Sequence, residues 1–372
     1  MLVFIRSLFL WSNVLLALLL SASAFLTFLN PGQYWIAGFA GMFFPPLFLL
    51  ALLFIPLWVL YKKKYYLISL AATLLCAGPA LHTWGIHFFQ RNDVQQKADS
   101  SQFTLMTYNT SSMGLLHYQD VAPVRNQVYA AVRAASPDVL CLQEFYTNDN
   151  PALANNIDSI RLAGDYPWHY FTCDKSHWDT WHYGIILFSR YPVVKAEKVA
   201  CGFSAAGSGS SFLLADLRIG ADTIRVISGQ LTSYMFTRSD FKELYTLRRQ
   251  GITDTGGFTA LLMKMRHTFS QRAAQARQLA ALATASPYPV IVCGDFNDTP
   301  VSFTYRTVSA HLQDAFLQRC AGWGRTLSYL SPTLRIDYIL PQERFYVHAC
   351  QVLKVPRSEH FPVMARLSLK KH

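Results

Sequence analysis

The first part of this chain has almost no charged residues. No acidic residue precedes Asp93, and three apolar stretches, at 8–29, 34–60 and 65 to about 89, contain no Lys, Arg, Asp or Glu. A helix of about 20 residues crosses a hydrocarbon core of about 30 Å, so each stretch is long enough to span a membrane. The lack of charge predicts three transmembrane helices, the second kinked at Pro45-Pro46 and the third at Pro79. Three buried core helices are a poor alternative, because each stretch is too long.

The few basic residues around these stretches predict their orientation. Arg6 precedes the first stretch, no charge separates the first from the second, and Lys62–Lys64 separate the second from the third. The positive-inside rule therefore places the N-terminus in the cytoplasm. We expect residues 1–97 to form a multi-pass region in the cell inner membrane, in contact with the lipid bilayer, and residues 98–372 to form an extracytoplasmic domain. Ala22-Ser23-Ala24 also resembles a signal-peptide cleavage site, and cleavage there would leave this topology unchanged.

Several common catalytic signatures are also missing. The chain has no Walker loop, no Gly-x-Ser-x-Gly turn and no internal repeat, which excludes P-loop enzymes, serine hydrolases of that type and repeat arrays. The seven cysteines lack metal-site spacing. Cys141 and Cys293 fall in predicted core strands, whereas four others could form disulfides in an oxidising compartment, with pairing left open: Cys173, Cys201, Cys320 and Cys350.

The charge balance limits the choice of partner without deciding it. The net charge of +11 partly reflects residues 1–97, and residues 98–372 contain 27 basic and 21 acidic residues, a net charge of about +6. This modest positive charge suits an anionic phosphate substrate, but the sequence lacks the dense basic stripe that would make nucleic acid the leading partner. No feature predicts a protein partner. A lipid, sugar or nucleotide phosphoester therefore stays open as the substrate, with tethering to a membrane favouring the first two.

What the chain does contain is a series of apolar segments that end in polar side chains. Val290–Cys293 leads into Gly294, Asp295 and Asn297, and side chains two residues apart on an extended backbone point the same way. A single segment of this kind is more often an ordinary turn. Four more polar strand ends or openings are present, and we expect all five to converge: Asn109, Gln143-Glu144, Asp337 and Glu359-His360.

At these residues the chain resembles the endonuclease/exonuclease/phosphatase superfamily, which includes abasic-site endonucleases, neutral sphingomyelinases and inositol-polyphosphate 5-phosphatases. The family's motifs occur in order between about residues 102 and 369: Tyr108-Asn109, Gln143-Glu144, Gly184–Arg190, Gly294–Asn297, Arg335–Tyr338 and the terminal acid-His pair. The resemblance implies an α/β fold, a DNase I-like four-layer αββα sandwich, here preceded by three transmembrane α-helices. It also implies a metal-dependent phosphoric ester hydrolase.

Phosphoester hydrolysis is slow because an anionic phosphate repels the nucleophile and charge accumulates on oxygens in the transition state. A divalent cation, Mg²⁺ or Mn²⁺, is therefore the expected cofactor, and such hard cations prefer oxygen ligands. We predict Glu144 as the first ligand, assisted by Asn109 and Glu359.

The remaining candidates are predicted to act on the water and the phosphate. Asp295 would orient or deprotonate the attacking water, and Asn297 would hold that water or a phosphate oxygen. His360, oriented by Asp337, would face the phosphate. Gln230 would donate a neutral hydrogen bond to a phosphate oxygen. A purely structural role fits Asp337 least well of these residues, because a carboxylate inside an apolar strand needs a polar partner.

Two residues depart from the family pattern and leave an alternative open. Gln230 stands where the family usually has His, and Glu359 stands where it usually has Asp. Loss of one preorganised donor typically costs about 10²- to 10³-fold in rate, part of which a neutral donor would recover. The alternative is therefore a catalytically attenuated or inactive member that binds a phosphorylated ligand.

Hydrophobic patterning predicts the remaining elements of the domain. Helices are expected near 121–135, 151–163 and 258–285, the last as a sheet-covering helix in preference to a lipid-headgroup contact. A loop is expected at 251–257. The aromatic segment 168–183 fits core or sheet-edge packing better than a substrate groove. Nine strands are predicted, at 103–108, 138–143, 184–189, 211–219, 223–230, 289–294, 336–340, 347–355 and 362–369.

Overall fold

A computed structural model describes residues 2–61, 64–88, 93–114, 121–150, 155–177, 180–202, 209–234, 255–329 and 331–370. The chain divides into two compact units. The first contains Met1–Thr83, Thr232–Ala274 and Pro300–Thr304, and the second contains Trp84–Leu231, Gln275–Thr299 and Tyr305–His372. The domain boundary expected at residue 97 stays a prediction.

The first unit contains the apolar helices. They are α1 (Leu2–Phe25), α2 (Ala37–Leu60), α3 (Tyr66–Leu75) and α4 (Ala77–Thr83). Val3–Phe28 and Ala37–Leu60 are long and apolar enough to cross a membrane. α2 continues through Pro45 and Pro46 as one helix.

The third predicted span differs from a single helix, because α3 and α4 meet at a bend of 63°. The break at Cys76 lies near Pro79, whose ring clashes with the carbonyl four residues earlier and removes a helical N–H donor. Among the described residues, two helices could thus cross a membrane by length and composition, or three if the bent pair counts as one, and three are not confirmed.

The second unit contains a seven-stranded and a five-stranded sheet, and β1 pairs with β11 as a separate two-stranded sheet. The strands are β1 (Gly85–Ile86), β2 (Phe103–Asn109), β3 (Val139–Asn148), β4 (Trp168–Phe171), β5 (Lys175–His177), β6 (Trp181–Ser189), β7 (Val193–Ala200), β8 (Ser211–Ile219), β9 (Asp222–Gln230), β10 (Val290–Asp295), β11 (Ala321–Gly322), β12 (Asp337–Pro341), β13 (Phe345–Val352) and β14 (Val363–Leu369). The seven-stranded sheet has the order β13-β14-β2-β3-β6-β4, with β5 paired to β6. The five-stranded sheet has the order β12-β10-β9-β8-β7.

The other helices are α5 (Val121–Ala135), α6 (Asn156–Gly164), α7 (Thr255–Thr284), α8 (Phe303–Ser309) and α9 (Ala315–Arg319). Alternate residues of the two sheets, such as Cys141 and Cys293, share one buried core. The outer face of the larger sheet packs on α5 and α6, and that of the smaller sheet packs on α8 and the end of α7. This is the predicted α/β sandwich of DNase I-like proteins.

Pairing between strands brings the polar ends to one rim. Asn109 pairs with Gln143 between the parallel strands β2 and β3. In the other sheet, Asp295 pairs with Gln230 on the parallel strand β9 and with Asp337 on the antiparallel strand β12. Carboxyl ends of parallel strands share an edge, so the alignment that buries the apolar residues also gathers the polar ones.

Strand β3 contains an irregularity at this rim. The pairing of β3 with β6 shifts between Leu142 and Phe145, and Glu144 has a positive φ of 48°. A bulge of this kind adds a residue to one strand and turns a side chain to a new direction. Here that side chain is Glu144.

Several predicted elements need correction. Strands β1, β4, β5, β7 and β11 were not predicted, and β1 falls within the third predicted span, which ends as a helix at Thr83. β7 lies at a sheet edge and carries Lys195, Glu197 and Lys198, a charged pattern that protects exposed edges and conceals the apolar alternation. The helix predicted from 151 begins at Asn156, because the Asn155 side chain accepts a hydrogen bond from Asp158 N at 3.1 Å and caps it. Residues 235–254, including most of the predicted loop at 251–257, lie outside the described residues.

Candidate active site

Asp295 lies at the centre of the rim and is fully buried. Its neighbour Gly294 has a φ of 134°, and a Cβ atom there would lie 1.8 Å from Gly229 O, so only glycine allows β10 to approach β9 this closely. Asp295 Oδ2 accepts hydrogen bonds from Asn109 Nδ2 at 2.9 Å and Asn297 Nδ2 at 3.0 Å. Oδ1 accepts one from the Asn297 backbone N at 2.8 Å. Both carboxylate oxygens are thus held by amide donors from both sheets.

These surroundings shift the proton affinity of Asp295. Burial, followed by the charge of Asp337, raises its pKa to about 7, against the opposing effects of His360 and of the hydrogen bonds from Asn109 and Asn297. A carboxylate with a pKa near neutrality combines a usable fraction of the ionised form with enough basicity to take a proton.

His360 and Asp337 form a buried pair beside it. His360 Nδ1 lies 3.0 Å from Asp337 Oδ2, and the Asp337 backbone N donates to Thr326 Oγ1 at 3.1 Å. Burial opposes a charged imidazole, but the carboxylates of Asp337 and Asp295 outweigh it and raise the pKa of His360 to about 10. The ring is therefore a cation at neutral pH, held in one orientation by Asp337.

Glu144 differs from these residues in being only partly buried. Its Oε1 accepts hydrogen bonds from Gln230 Nε2 at 2.5 Å and from Asn109 Nδ2 at 3.2 Å. Within the described parts of the chain, no Lys, Arg or His lies within ion-pair distance of this carboxylate. Its positive φ is a conformation that costs a non-glycine residue about 1–3 kcal/mol and that occurs preferentially at functional sites.

The charge of this cluster fits a divalent cation. Three carboxylates, of Glu144, Asp295 and Asp337, face the one imidazolium of His360. The ligand atoms of Asp295, Asp337 and His360 lie within 4.8 Å of one another and could share an ion. These three are fully enclosed and already bonded to one another or to amides, whereas Glu144 is reachable from solvent. A hydrated cation therefore fits Glu144 better.

The two asparagines and Gln230 act in this structure through the carboxylates. Asn109 Oδ1 accepts a hydrogen bond from Ser111 N at 2.9 Å, so its NH2 group, not its oxygen, faces Glu144 and Asp295. Asn297 Nδ2 also donates to Leu231 O at 3.0 Å. Gln230 holds Glu144. Metal ligation by Asn109 and phosphate binding by Gln230 and Asn297 stay predictions.

Glu359 lies at the edge of this group. It is partly exposed and lines an adjoining cleft. Its role as a metal ligand also stays a prediction. The structure thus brings seven of the predicted residues into one connected cluster, with Glu359 beside it: Asn109, Glu144, Gln230, Asp295, Asn297, Asp337 and His360.

Two neighbouring groups had no predicted role in the chemistry, although Gln143 was named with Glu144 as a polar strand end. Burial, followed by the charges of Glu359, Asp295 and Glu144, raises the pKa of Tyr329 to about 12, so its phenol stays a neutral hydrogen-bond donor beside the carboxylates. Gln143 is fully buried and donates to Ser228 Oγ at 2.9 Å, which joins the two sheets beneath the site. Gln143 has a sequence signal, its place before Glu144. Tyr329 has none, because it follows no strand pattern.

Comparisons with known proteins give a family match and several similar solved structures. Residues 106–360 match the Endonuclease/Exonuclease/phosphatase family, and residues 6–83 match a domain of unknown function (DUF8431). None of the curated proteins matches the chain. Among solved structures, an endonuclease/exonuclease/phosphatase from Beutenbergia cavernae is 20% identical, with 72% of each chain covered and a TM-score of 0.48.

Two further solved structures are similar at lower identity. ANGEL2, a 2',3'-cyclic phosphatase in complex with adenosine-2',3'-vanadate, is 16% identical, with 73% of this chain and 96% of that chain covered and a TM-score of 0.50. TDP2 from D. rerio, complexed with a single-strand DNA product, is 15% identical, with 72% and 99% covered and a TM-score of 0.48. ANGEL2 supports the fold. The family match spans more than half of the sequence and includes every residue of the cluster, and this chain therefore belongs to the endonuclease/exonuclease/phosphatase family.

Proposed function

We propose that this protein is a membrane-anchored, metal-dependent phosphoesterase. The observation that carries the proposal is Asp295, a buried carboxylate with a pKa of about 7, held by Asn109 and Asn297 beside a charged His360. A base and a fixed cation at one rim are what hydrolysis of a phosphoester by water requires. Membership of the family supports the same bond type.

Each residue of the site has a separate role in the proposed reaction. Asp295 accepts a proton from the attacking water, and the amides of Asn109 and Asn297 keep its oxygens in place. His360 places positive charge against the phosphate, with Asp337 maintaining that charge. A Mg²⁺ or Mn²⁺ ion at Glu144, with Glu359 as a second candidate ligand, would supply positive charge against the phosphate oxygens when bound.

Attachment to a membrane through the N-terminal helices is part of the proposed function. Two long apolar helices and one bent pair support attachment to a bilayer through the first unit. With three crossings and the N-terminus in the cytoplasm, the catalytic domain would face the extracytoplasmic side of the inner membrane. This location favours a lipid or sugar phosphoester over a nucleotide as the substrate.

The rival function is binding without turnover. Gln230 replaces a His of the family pattern, and its amide is already used by Glu144. A neutral amide cannot give up a proton or carry charge, which favours an attenuated site. The rival shares the fold and the ligand class, so only a rate measurement separates the two.

Hydrolysis by the full chain in detergent tests the proposal. The panel contains lipid, sugar and nucleotide phosphomonoesters and phosphodiesters, each with Mg²⁺, Mn²⁺ or EDTA. Asp295→Asn removes the base without changing its shape, and Asp222→Asn makes the same chemical change at an exposed turn at the start of β9. We expect metal-dependent turnover by the wild type and Asp222→Asn, and its loss in Asp295→Asn. Equal background in all three proteins, with phosphorylated ligands still bound, would establish the rival.

A further inference from the structure

The loop that carries His360 has a second, unassigned arm. It connects β13 to β14, and its base is closed by the Val352–Val363 pair and by the Leu353 N to Pro362 O bond of 2.8 Å. The returning arm holds Glu359 and His360. The outgoing arm, Lys354–Arg357, has no part in the chemistry described above.

A cleft of about 470 Å³ is lined by this arm and by Glu359 and Phe361, the two neighbours of His360. It is lined by Ser328, Lys354, Val355, Pro356, Arg357, Ser358, Glu359 and Phe361. Lys354 and Arg357 are exposed, and no carboxylate in the described ranges lies within ion-pair distance of either. Among the described residues, the cleft is therefore lined by two cations without an ion-pair partner, together with the acid Glu359.

Arg357 is held there in an unfavourable conformation. Residues Val355–Ser358 form a turn, with Pro356 second and Arg357 third, and Ser358 N lies 3.4 Å from Val355 O. Arg357 has a φ of 58°, and the third position of such a turn strongly favours Gly or Asn when φ is positive. A strained non-glycine residue in a loop beside a catalytic group points to a function for its side chain.

The cleft is also fixed relative to His360. Ser328 N donates to Glu359 O at 2.8 Å, and Phe361 N donates to Thr326 O at 2.6 Å, so both walls flank the catalytic histidine. Three residues of chain span at most about 10 Å, which limits the backbone distance from Arg357 to His360. A flexible guanidinium at that distance can reach a group attached close to the scissile phosphate.

We propose that Lys354 and Arg357 bind a second phosphate of the substrate while the first is hydrolysed. The inference deepens the proposed function and rests on it: the substrate carries at least two phosphates, one in the active site and one in this cleft. The second phosphate can belong to the same small molecule or to a neighbouring nucleotide.

Binding without turnover provides the first test. The full chain in detergent with Mg²⁺ is titrated calorimetrically with a short series of α,ω-alkane bisphosphonates and the matching alkylphosphonates. We expect the best bisphosphonate to bind about tenfold more tightly than its monophosphonate, since two exposed charge pairs contribute about 1.4 kcal/mol. The double variant Lys354→Ala/Arg357→Ala should lose that advantage. Arg218→Ala should keep it, because this exposed residue pairs with Thr223, seven residues and about 23 Å along β9 from Gln230.

A glycine at the turn separates function from folding. Arg357→Gly relieves the positive φ, so it should melt at or above the wild-type temperature while binding bisphosphonate as weakly as Arg357→Ala. An unchanged bisphosphonate advantage in both variants, or none in the wild type, would overturn the inference.

Turnover then identifies the source of the second phosphate. A polyol bisphosphate is compared with its monophosphate, and a dinucleotide with a 5'-phosphate is compared with the same dinucleotide without it. The preferred pair should show about tenfold higher kcat/KM for the doubly charged member in the wild type only. If nothing is hydrolysed but the bisphosphonate advantage depends on Arg357, the hydrolysis proposal fails and the cleft assignment holds. If both members of each pair react equally well, the cleft assignment fails and hydrolysis holds.

Discussion

Replacing Gln230 with alanine should weaken metal binding more than it slows the chemical step. Gln230 Nε2 donates its short hydrogen bond to Glu144 Oε1, at 2.5 Å, and among the described residues the only other side-chain donor to that oxygen is Asn109, at 3.2 Å. Without the closer donor, Glu144 loses orientation and its φ of 48° loses support. We expect Gln230→Ala to turn Glu144 away from its present position.

The size of the effect follows from the kind of interaction lost. A hydrogen bond to a charged group contributes about 1.5–3 kcal/mol, and groups that orient metal ligands typically contribute about 10- to 100-fold in metal affinity or activity. We therefore expect the half-saturating concentration of Mg²⁺ to rise by about 10- to 100-fold in Gln230→Ala. At saturating metal, kcat should stay within about threefold of the wild type.

The assay is hydrolysis of the best substrate as a function of free Mg²⁺, together with direct titration of Mn²⁺. Gln230→His restores a donor and should recover most of the affinity, which distinguishes loss of a hydrogen bond from damage to the core. Gln230 does not orient a metal ligand if Gln230→Ala leaves metal affinity unchanged but lowers kcat by about 10²-fold or more. Such a result would mean that Gln230 acts on the phosphate.

Three further predictions concern the carboxylates and the strand beneath them. Asp337→Asn removes the charge that keeps the imidazole of His360 protonated. The alkaline limb of the pH–rate profile should therefore move to lower pH, and kcat should fall about 10²-fold. An unmoved limb would show that Asp337 does not maintain the charge of His360. Asn109→Ala removes a donor that lowers the pKa of Asp295, and since protonated Asp295 cannot accept a proton, the acid limb should move to higher pH when rates are measured at saturating metal. Gly294→Ala should lower the free energy of unfolding by more than about 2 kcal/mol, because the added Cβ would clash with Gly229 O. Gly220 also has a positive φ but has open space around it, so Gly220→Ala should lower the free energy of unfolding by less in the same thermal melts. Equal losses would rule out the clash as the cause.

The convergence of the site was predictable because it depends on alternation and strand order. Asp295 and Asn297 follow an apolar strand, and Asp337 interrupts another, so both had to be near a rim or a partner. Burial then determines the pairing of strands, since a shift by one residue would expose the apolar side chains. The pairing of Asp337 with His360 was expected from the resemblance to the family, because strand alternation alone does not determine a contact between residues of different sheets.

The atomic partners were not predictable, because they depend on distances within the rim. Phosphate binding by Gln230 stays a prediction, but its hydrogen bond to Glu144 was not predictable, because it depends on the bulge in β3 that turns this carboxylate toward β9. Tyr329 enters through a loop with no periodic pattern. The break at Cys76 had a visible cause in Pro79, but composition alone cannot tell a kinked helix from two helices.

The bulge in β3 also bears on how this chain can diverge. Leu140, Leu142 and Phe145 all face the same helix-covered core. The side chains that face this core therefore change from even-numbered to odd-numbered residues across Gln143 and Glu144. Deleting or inserting one residue here would exchange the inward and outward sides of the strand's last four residues. Related proteins should therefore tolerate substitutions along this strand but almost no change in its length, and an alignment gap placed within it would signal a misalignment.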